Sequence, residues 1–420
     1  MRRCVPAQAR PGGRGEAGDR STGSGRLRVA FVTSHPIQYQ APLFRELARR
    51  PGIELTVLFC SRAGLEPTID PNFGRAIAWD IPLLDGYRHS FLKNRSPRPS
   101  PSRATGLVNP GILFALRPRR FDAVIFHGYS HVTSMLGMLV CFARGIPVLL
   151  RFESHLLRPR AAWKRALKRL LLPRLFRRVS AFLTIGTKNE EYCARYGVPR
   201  ERMFRTPYCV DNDRFARESR MTDEERRAFR AGLGLDPERP VVLFSGKLVP
   251  LKRPMDLLRA FDAAGLGGRA SLVFIGDGVE RAALEAYART RLPGSVRFAG
   301  FVNQRELPRH YGMGDALVLP SSTEPWGLVV NEAMACGLKV LASDAVGAAY
   351  DLLVDPACGE VFPAGDVGAL AAALRRAVES PGPREARMRA VERFSVRAAA
   401  DGIVAALGKV AGRRPNVASR

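Results

Sequence analysis

Two series of short apolar runs, each alternating with helical stretches, constrain the fold of this chain more than any other feature. The first series begins at 27–33 (LRVAFVT), a continuous run rich in β-branched residues that is typical of a buried parallel strand. The second series begins at 241–245 (VVLFS). Strands that alternate with helices predict a doubly wound α/β sheet. The sequence therefore predicts two such sheets, whose ligands would bind beyond the carboxyl ends of the strands.

The same patterns place the remaining elements. Strands are predicted at 53–59, 123–126, 147–151, 181–185, 271–275, 296–299, 316–319 and 339–342. Apolar residues at helical spacing predict helices at 41–50, 222–232, 255–264, 279–289 and 327–336. The apolar run 135–142 is shorter than the ~18 residues of a membrane-spanning helix, so it is expected to form a buried helix.

Polar segments divide the 420 residues into parts. The Pro- and Ser-rich segment 96–110 is expected to be a long loop inside the first domain. The predicted division is a disordered basic leader at 1–26, an N-terminal Rossmann-like domain at 27–210, a linker at 211–240, a C-terminal Rossmann-like domain at 241–394, a C-terminal helix at 395–412 that returns to the first domain, and a tail at 413–420.

The net charge and the cysteines limit the possible partners and compartment. Lys and Arg number 66 against 39 Asp and Glu, a formal charge of +27, which favours anionic partners unless it reflects Arg-rich codon usage alone. The seven cysteines form no C-x-x-C pair, which favours reduced thiols over disulfides or a zinc site. The leader has no apolar centre and is not a secretion signal. These features predict a cytoplasmic protein.

The strongest local signal is the segment 324–344, EPWGLVVNEAMACGLKVLASD. A strand at 316–319 runs into a loop and then a helix that begins near Gly327. The N-terminus of such a helix offers unpaired N–H groups and a positive dipole end, which suit a pyrophosphate. Glu324 and Glu332 stand on either side, and ionised carboxylates accept hydrogen bonds from sugar hydroxyls.

This segment resembles the E-x7-E motif of glycosyltransferase family 4, the group 1 glycosyltransferases. The resemblance implies a GT-B fold, in which two Rossmann-like, doubly wound parallel-sheet α/β domains face a cleft. It implies that Glu324 contacts the hydroxyls of the donor sugar and that Glu332 contacts the ribose. It also implies that backbone amides at Gly327, Leu328 and Val329 hold the sugar and the β-phosphate. The alternative is a helix whose first turn carries Glu only to balance the dipole.

A second signal is 246–254, GKLVPLKRP, directly after the strand 241–245. Lys247 and Lys252 lie on a strand-to-helix loop, and Lys is a compact cation suited to phosphate. The family has G-R-x-x-x-x-K at this place, with Gly246 at its start. The resemblance implies that the two cations neutralise the donor pyrophosphate, with Lys247 in place of the usual Arg. A solvated basic loop is the alternative.

Weaker marks follow two neighbouring strands. Gly276 lies in the IGDG turn, and a single GxG is a weak indication of nucleotide binding. Phe301 lies in GFV after the strand 296–299, and the resemblance implies that its backbone lies near the nucleotide base. Taken singly, each is explained as well by loop geometry.

The first domain contributes three candidate residues. His35 lies in the loop after the first strand, where this chain lacks the Gly-rich loop of many family members. His127 follows the strand 123–126, and the resemblance implies that it reaches the donor sugar and the reacting centre. Glu153 ends the next strand, 147–151, and is expected either to meet the acceptor or to support His127. A structural histidine is the alternative for His127.

The resemblance implies a retaining transfer of sugar from a nucleoside-diphosphate sugar to a sugar, lipid-linked or small-molecule acceptor. Two lysines and a helix N-terminus can stabilise the leaving diphosphate, so no metal and no cofactor is expected. The sequence names no general base. The product is expected to be a cell-envelope polysaccharide or glycolipid.

The segment 158–178 holds nine basic residues and no acidic residue. Trp163, Leu167, Leu170 and Leu171 recur in it at helical spacing. A helix with cationic and Trp/Leu faces suits an anionic membrane surface, which predicts peripheral binding to the inner membrane face. The alternative is a helix packed on the first domain with a solvated basic face.

Two other functions remain open. A GT-B epimerase or phosphorylase would share the fold, although nothing in the sequence marks a pyridoxal-phosphate lysine. A basic nucleic-acid-binding protein is allowed by the charge, but no finger, RNP or helix-turn-helix signature is present, so no nucleic acid is expected as a partner.

Overall fold

The computed structural model describes residues 25–65, 68–70, 75–77, 79–157 and 161–412. Its first part is built around a seven-stranded sheet. The elements of this part, in chain order, are β1 (Leu27–Thr33), α1 (Gln40–Arg49), β2 (Ile53–Phe59), β3 (Thr68–Asp70), β4 (Arg75–Ile77), β5 (Arg88–Phe91), α2 (Ile112–Ala115), β6 (Ala123–His127), α3 (Val132–Ala143), β7 (Val148–Arg151), α4 (Ala162–Arg178), β8 (Ala181–Thr184), α5 (Thr187–Arg195) and β9 (Met203–Arg205).

The second part is built around a six-stranded sheet. Its elements, followed by the C-terminal helix, are α6 (Asn212–Glu218), α7 (Asp223–Gly232), β10 (Val241–Ser245), α8 (Pro254–Ala263), β11 (Ser271–Ile275), α9 (Arg281–Arg291), β12 (Val296–Gly300), α10 (Leu307–Gly312), β13 (Ala316–Leu319), α11 (Leu328–Ala335), β14 (Lys339–Ser343), α12 (Ala349–Leu352), β15 (Gly359–Phe362), α13 (Val367–Glu379), α14 (Arg384–Glu392) and α15 (Val396–Ala411).

The two sheets share one topology. The first has the order β5-β2-β1-β6-β7-β8-β9 and the second the order β12-β11-β10-β13-β14-β15. All strand pairs within both sheets are parallel. In each, the order reverses beside the first strand, between β1 and β6 and between β10 and β13. Loops that leave these strands at their carboxyl ends form the crevice where doubly wound sheets bind ligands.

Burial explains why the strands read as continuous apolar runs. Every residue of β10, β11 and β13 is buried, because helices cover both faces of the sheet. The C-terminal helix α15 leaves the second part and packs against α1, β8 and β9 of the first. Its core side chains, such as Ile403 and Leu407, join the cluster formed by β1, β2 and α1.

The segment predicted as a linker, 211–240, contains two helices: α6, which was not predicted, and α7, which forms where a helix was predicted at 222–232. Asp211 caps α6 through Arg214 N, and Thr222 begins α7 with a capping box completed by Glu225. Helix α6 packs against α10, α11 and α14, so it belongs structurally to the second part. The segment that connects the two parts of the chain is therefore shorter than the predicted linker, 211–240.

Some other predicted elements differ in the structure, and two predicted segments fall on residues that it does not describe. The helix predicted at 135–142 forms as part of α3, but it is not fully buried, since Met135 and Leu139 are exposed. The edge strands β5, β9 and β15 have few β-branched residues and were not predicted. Residues 1–24 of the predicted leader and the predicted tail at 413–420 lie outside the described residues. Among the residues described, no helix is long and apolar enough to cross a membrane.

Candidate active site

The loop between β13 and α11 is held in place by its backbone. Glu324 N donates to Ala345 O at 3.0 Å, and Ala348 N donates to Trp326 O at 2.9 Å. Gly327 adopts φ = +97°, a left-handed conformation that favours glycine, and α11 begins at the next residue. A Cβ on Gly327 would also press on the Leu319 side chain. The first N–H groups of α11, at Leu328 and Val329, therefore point out of the helix without a helical acceptor.

The lysine of the β10–α8 loop meets the first glutamate of the E-x7-E motif. The Lys252 Nζ atom forms an ion pair with Glu324 Oε2, and the two side chains keep 23% and 17% of their surface exposed. The two loops are also joined by their backbones, since Ser322 N donates to Leu251 O at 2.9 Å. The carboxylate, the cation and the start of α11 thus form one group.

The turn that carries Lys252 ends in an unusual backbone conformation. Arg253 has φ = +52°, and among the described residues it is the only one other than glycine with a positive φ. Its side chain pairs with Asp256 in the first turn of α8. Left-handed backbone at a non-glycine residue costs of order 1 kcal/mol and is concentrated at functional sites. Lys247, also predicted here, follows β10 and is partly buried.

Glu332, the second glutamate of the motif, is buried inside the second domain. Its Oε2 accepts a hydrogen bond from the Tyr311 hydroxyl at 2.8 Å, and that hydroxyl lies 2.9 Å from Ser245 Oγ. Burial raises the pKa of the Glu332 carboxyl to about 7, against the opposing effects of the Tyr311 hydrogen bond and the Arg214 charge. Near neutral pH this carboxyl therefore exchanges between the donor and the acceptor form.

The predicted glycines have a packing role that the structure makes explicit. Gly246 has φ = +150° and Gly276 has φ = +135°. A Cβ on Gly276 would collide with Gly246 O, so the loops after β10 and β11 can approach only because Gly276 has no side chain. Phe301 follows β12 and is partly buried.

The first domain brings two predicted residues together with two tyrosines. Glu153 Oε1 accepts a hydrogen bond from the Tyr208 hydroxyl and lies 3.4 Å from the Tyr39 hydroxyl. His127 Nε2 lies 3.4 Å from the Tyr208 hydroxyl and 3.7 Å from Glu153 Oε1. Glu153 still exposes 42% of its side chain. We call these four residues the acceptor-side cluster, because the first domain is the one expected to bind the acceptor.

The protonation states of the acceptor-side cluster follow from burial and neighbouring charges. Burial lowers the pKa of His127 below its usual value, and the hydrogen bond to Glu153 offsets this only in part, so the imidazole is neutral at pH 7. Burial acts to raise the pKa of Glu153, but hydrogen bonds from His127 and Tyr208 and the Arg151 charge outweigh it, and the net shift is downward. The pair is therefore an ionised carboxylate beside a neutral imidazole. The buried Nδ1 atom of His127 has no hydrogen-bond partner among the described residues.

His35 lies next to the acceptor-side cluster without joining its hydrogen bonds in the part of the chain described. Its Nδ1 atom lies 2.9 Å from Ser34 Oγ. Burial, together with the smaller effect of the charges of His127 and His131, lowers the pKa of His35 to about 4. His35 is therefore a neutral group at physiological pH.

The two halves of the site meet across the cleft. The Trp326 ring, beside Gly327, lies 6.4 Å from the Tyr208 ring. Asn331, the neighbour of Glu332 on α11, donates to Tyr208 O at 3.2 Å. A cavity of about 150 Å³ between the domains is lined by Gln38, Tyr39, Arg214, Gln304 and Glu332, among others. A larger cavity of about 460 Å³ lies beside α1 and the start of α15, away from both lysines.

Three tyrosines of the site, Tyr39, Tyr208 and Tyr311, were not predicted from the sequence. Tyr39 lies in the loop after β1 and Tyr208 follows β9, and the carboxyl ends of parallel strands are where such residues could have been sought. Tyr311 lies inside α10 and is fully buried, so its sequence context predicts only a core position.

Family models match both domains of the chain. Residues 225–394 match the model described as glycosyl transferases group 1. Residues 36–209 match the model described as a glycosyl transferase 4-like domain. The two matches together cover both sheets except β1, and they include every predicted site residue except His35.

Curated relatives match smaller parts of the chain. A D-inositol 3-phosphate glycosyltransferase of Mycobacterium sp. (strain KMS) is 38% identical over 197 residues, which cover 44% of this chain and 40% of that protein. A GDP-mannose-dependent alpha-mannosyltransferase of Mycobacterium tuberculosis is 30% identical over 266 residues, 63% of each chain. The first of these matches therefore spans less than half of its relative.

Solved structures match nearly the whole chain. Anabaena Alr3699/HepE, solved in complex with UDP, superposes with a TM-score of 0.69 over 91% of this chain and 100% of that one, at 17% identity. Sucrose-phosphate synthase from Thermosynechococcus elongatus superposes with a TM-score of 0.63 over 93% of this chain and 100% of that one, at 18% identity. At these identities the likeness concerns the fold, and the GT-B architecture expected from the sequence is confirmed.

Proposed function

Because this chain belongs to the group 1 glycosyl transferases, we propose that it transfers a sugar from a nucleoside-diphosphate sugar to a hydroxyl acceptor, with retention of configuration. The observation that carries this proposal is the ion pair between Lys252 and Glu324 at the start of α11. It places a cation, a carboxylate and a helix N-terminus together at the carboxyl ends of β10 and β13.

The donor diphosphate is proposed to bind between the β10–α8 loop and α11. Lys252 and Lys247 supply positive charge, and the N–H groups at Leu328 and Val329 supply hydrogen bonds aligned with the helix dipole. A bound diphosphate offers Lys252 a second anionic partner. Glu324 is then available to accept hydrogen bonds from the hydroxyls of the donor sugar.

Glu332 is proposed to hold the ribose. Its Oε2 atom is fixed by Tyr311, and its side chain lines the cavity between the domains. Its raised pKa means that both an ionised and a protonated form are accessible near neutral pH, and either can bond a ribose hydroxyl.

Transfer breaks the bond between the anomeric carbon and the phosphate oxygen and forms a bond from that carbon to the acceptor oxygen. The acceptor proton passes to an oxygen of the leaving diphosphate, so charge and atoms balance without a separate base. Negative charge accumulates on the diphosphate, where the two lysines and the helix N-terminus stabilise it. We therefore propose that the reaction needs neither a metal ion nor an organic cofactor.

The acceptor is proposed to bind against the first domain, beside the exposed oxygen of Glu153. The names of the relatives supply two donor types. One is GDP-mannose, and the other is UDP-glucose, which was solved in complex with Anabaena Alr3699/HepE. They also supply one phosphorylated polyol as acceptor, D-inositol 3-phosphate. Since the curated matches span only part of those proteins, the donor has to be determined on this chain. A cell-envelope polysaccharide or glycolipid remains the proposed product, made in the cytoplasm.

The helix α4 is proposed to hold the enzyme at an anionic membrane surface. Trp163 is 65% exposed, and Leu167, Leu170 and Leu171 are exposed with it, while Leu172 and Phe176 anchor the helix to the core. Lysines and arginines lie between these apolar side chains and would contact anionic headgroups. Helices α2 and α3 pack into the same core cluster and add exposed apolar side chains, Phe114 and Leu139, on this side of the first sheet.

The function is tested by incubating the purified chain with a panel of UDP- and GDP-sugars and measuring release of the diphosphate. One donor is expected to be turned over, and the anomeric configuration of the product, read by NMR, is expected to match that of the donor. Lys252→Ala is expected to lose diphosphate affinity and transfer together, whereas Lys93→Ala, at an exposed position of the first domain, keeps both. Equal activity of the two variants would contradict the assignment.

The same preparation separates the alternatives. An epimerase would consume the donor without forming an acceptor glycoside. A phosphorylase would leave the nucleotide sugar unchanged and would need inorganic phosphate and a glycoside. A nucleic-acid-binding protein would be stabilised thermally by DNA rather than by UDP or GDP. We expect stabilisation by one of the two diphosphates and none by DNA at equal charge.

A further inference from the structure

Tyr208 lies where the chain passes from the first domain to the second, and both domains hold it. It is 2% exposed. Its backbone N–H donates to Ile185 O at 3.3 Å in the first domain, and its carbonyl accepts from Asn331 Nδ2 in the second. The Arg151 guanidinium lies 4.9 Å above its ring, within the range of a cation–π contact. The position of the ring is therefore fixed from several sides.

The hydroxyl of Tyr208 is the part of the residue that reaches the acceptor-side cluster. It bonds Glu153 Oε1 and lies 3.4 Å from both His127 Nε2 and the Tyr39 hydroxyl. The second oxygen of Glu153, Oε2, has no hydrogen-bond partner among the described residues, and 42% of the side chain is exposed. The hydroxyl thus fixes one carboxylate oxygen and leaves the other toward the cleft.

Asn331 connects this arrangement to the donor helix. It is fully buried on α11, next to Glu332. Its Oδ1 atom accepts from Trp326 Nε1 at 2.8 Å, while its Nδ2 atom donates to Tyr208 O. Trp326 is in turn fitted against Gly186 of the first domain, where a Cβ would collide with the ring. The amide side chain of Asn331 therefore joins the donor loop to Tyr208 with both of its ends engaged.

We propose that Tyr208 is a positioning residue: held to the donor helix by Asn331, it sets the orientation of Glu153 and His127 relative to the donor site. This inference rests on the proposed function for its meaning in catalysis, but the contacts it depends on exist without any substrate. A shift of α11 moves the Tyr208 carbonyl, and the rigid ring transmits that shift to its hydroxyl and so to the carboxylate.

Several titratable groups face this cluster, and all have to be included in its pH dependence. Those around Glu153 are His127 from β6, Arg151 from β7, and the hydroxyls of Tyr39 and Tyr208. Those around His127 are Glu153, Arg151, His131 and His35. The Tyr208 hydrogen bond lowers the pKa of Glu153, so its loss moves the protonation of that carboxylate to higher pH.

The chain has six histidines, which makes their ring signals assignable by NMR on protein with ¹³C-labelled histidine. In the ligand-free protein, Tyr208→Phe is expected to move the titration midpoint of His127 upward, because Glu153 Oε1, which lies 3.7 Å from Nε2, can then pair more closely with the imidazole. Tyr192→Phe is the matched control. Tyr192 is equally buried, and its hydroxyl bonds Tyr129 and Lys168, neither of which belongs to the acceptor-side cluster. That variant is expected to leave His127 unchanged.

Asn331→Ala tests the connection to the donor helix, because in the described part of the chain Asn331 hydrogen-bonds the Tyr208 backbone and no side chain of the acceptor-side cluster. It is expected to move the His127 signal as well, whereas Asn212→Ala, which removes an amide bonded to Val391 O inside the second domain, does not. An unchanged His127 titration in both Tyr208→Phe and Asn331→Ala would overturn the proposal. A His127 midpoint that shifts equally in a variant and in its control would also overturn the proposal.

Turnover supplies the second measurement, with the donor found in the nucleotide-sugar panel. Tyr208→Phe is expected to lower kcat about tenfold or more, the effect of losing a hydrogen bond to a charged group. The donor KM is expected to stay within about twofold, since no donor contact changes. The acidic limb of the pH profile of kcat is expected to shift to higher pH. A loss of donor affinity with an unmoved pH limb would show a merely structural role. If the panel yields no donor, the proposed function fails, while the NMR titration still decides the role of Tyr208.

Discussion

The Asp351 carboxylate of α12 in the second domain caps the first turn of α5 in the first domain through Thr187. Its Oδ2 atom accepts from Thr187 N at 2.9 Å, and its Oδ1 atom accepts from Thr187 Oγ1 at 2.7 Å. Arg205 from β9 donates to the same carboxylate at 2.9 Å. An acidic group at a helix N-terminus is stabilising, and here that interaction also closes the interface between the two domains.

We expect Asp351→Ala to lower the free energy of unfolding by about 2 kcal/mol and to widen the cleft. The Asp351 carboxylate is nearly inaccessible, but Arg205 is 40% exposed and keeps its bond to Glu190. The loss of stability is therefore expected to be close to the free energy of the lost hydrogen bonds to a charged group. Small-angle X-ray scattering measures the change as a larger radius of gyration.

Asp366→Ala is the control for this variant. Asp366 caps α13 within the second domain by accepting from Ala369 N. Its loss costs about 1 kcal/mol of stability but leaves the domain separation unchanged. An equal radius of gyration for both variants and the unaltered protein would show that Asp351 does not hold the domains together.

The buried carboxyl of Glu332 predicts a pH dependence of stability. Its pKa is about 7 in the folded protein and near 4.5 when exposed, so between these values the folded state holds a proton that the unfolded state has lost. Stability from this group is complete below pH 4.5 and decreases as the pH rises to about 7, by on the order of 3 kcal/mol. Denaturant unfolding at pH 5 and pH 8 measures the difference.

Glu332→Gln should flatten this part of the profile, because glutamine resembles the protonated form. The variant is expected to be as stable as the unaltered protein at pH 5 and more stable at pH 8. Glu306→Gln, at an exposed position of the same domain, should leave the profile unchanged. A profile that keeps its slope in Glu332→Gln would assign the dependence to another group.

The sequence predicted the two sheets because buried parallel strands are continuous apolar runs. VVLFS and SLVFI, for example, form β10 and β11 at the predicted bounds. Edge strands lack this signal, since only one side of their ladder is paired. GEVF forms β15 with Val361 exposed, and RHSF forms β5 with two exposed residues.

The donor-side residues lie on neighbouring βα loops, so strand order alone brings Lys252 and Glu324 together. Strand order also places Glu153 near His127, because β6 and β7 are neighbours, but their two tyrosine partners could not be predicted in this way. Tyr39 and Glu153 are 114 residues apart, and Tyr208 reaches Glu153 across 55 residues. Their meeting depends on the side-chain geometry of three separate loops, which no local pattern encodes. Residue roles at both sides remain predictions until the variants are measured.

Removal of metal ions gives a further test of the donor site. If Lys252, Lys247 and the start of α11 stabilise the leaving diphosphate, transfer should proceed at the same rate in EDTA and in Mg²⁺. Lys252→Ala should lower kcat about 10²- to 10³-fold, the effect of removing one preorganised electrostatic partner of the transition state. A loss of activity in EDTA that Mg²⁺ restores would contradict a metal-independent reaction.

Membrane binding by α4 is tested with vesicles of phosphatidylglycerol and of phosphatidylcholine. The protein should sediment with the anionic vesicles, and high salt should release part of it, because screening weakens the arginine and lysine contacts. Trp163→Ser combined with Leu170→Ser should weaken binding at least about tenfold, since each side chain contributes apolar burial of about 1.5 kcal/mol or more. Val279→Ser, at an exposed apolar position of the second domain, is the control and should bind as before. Equal binding to both vesicle types, or none to either, would leave α4 as a helix packed on the first domain with a solvated basic face.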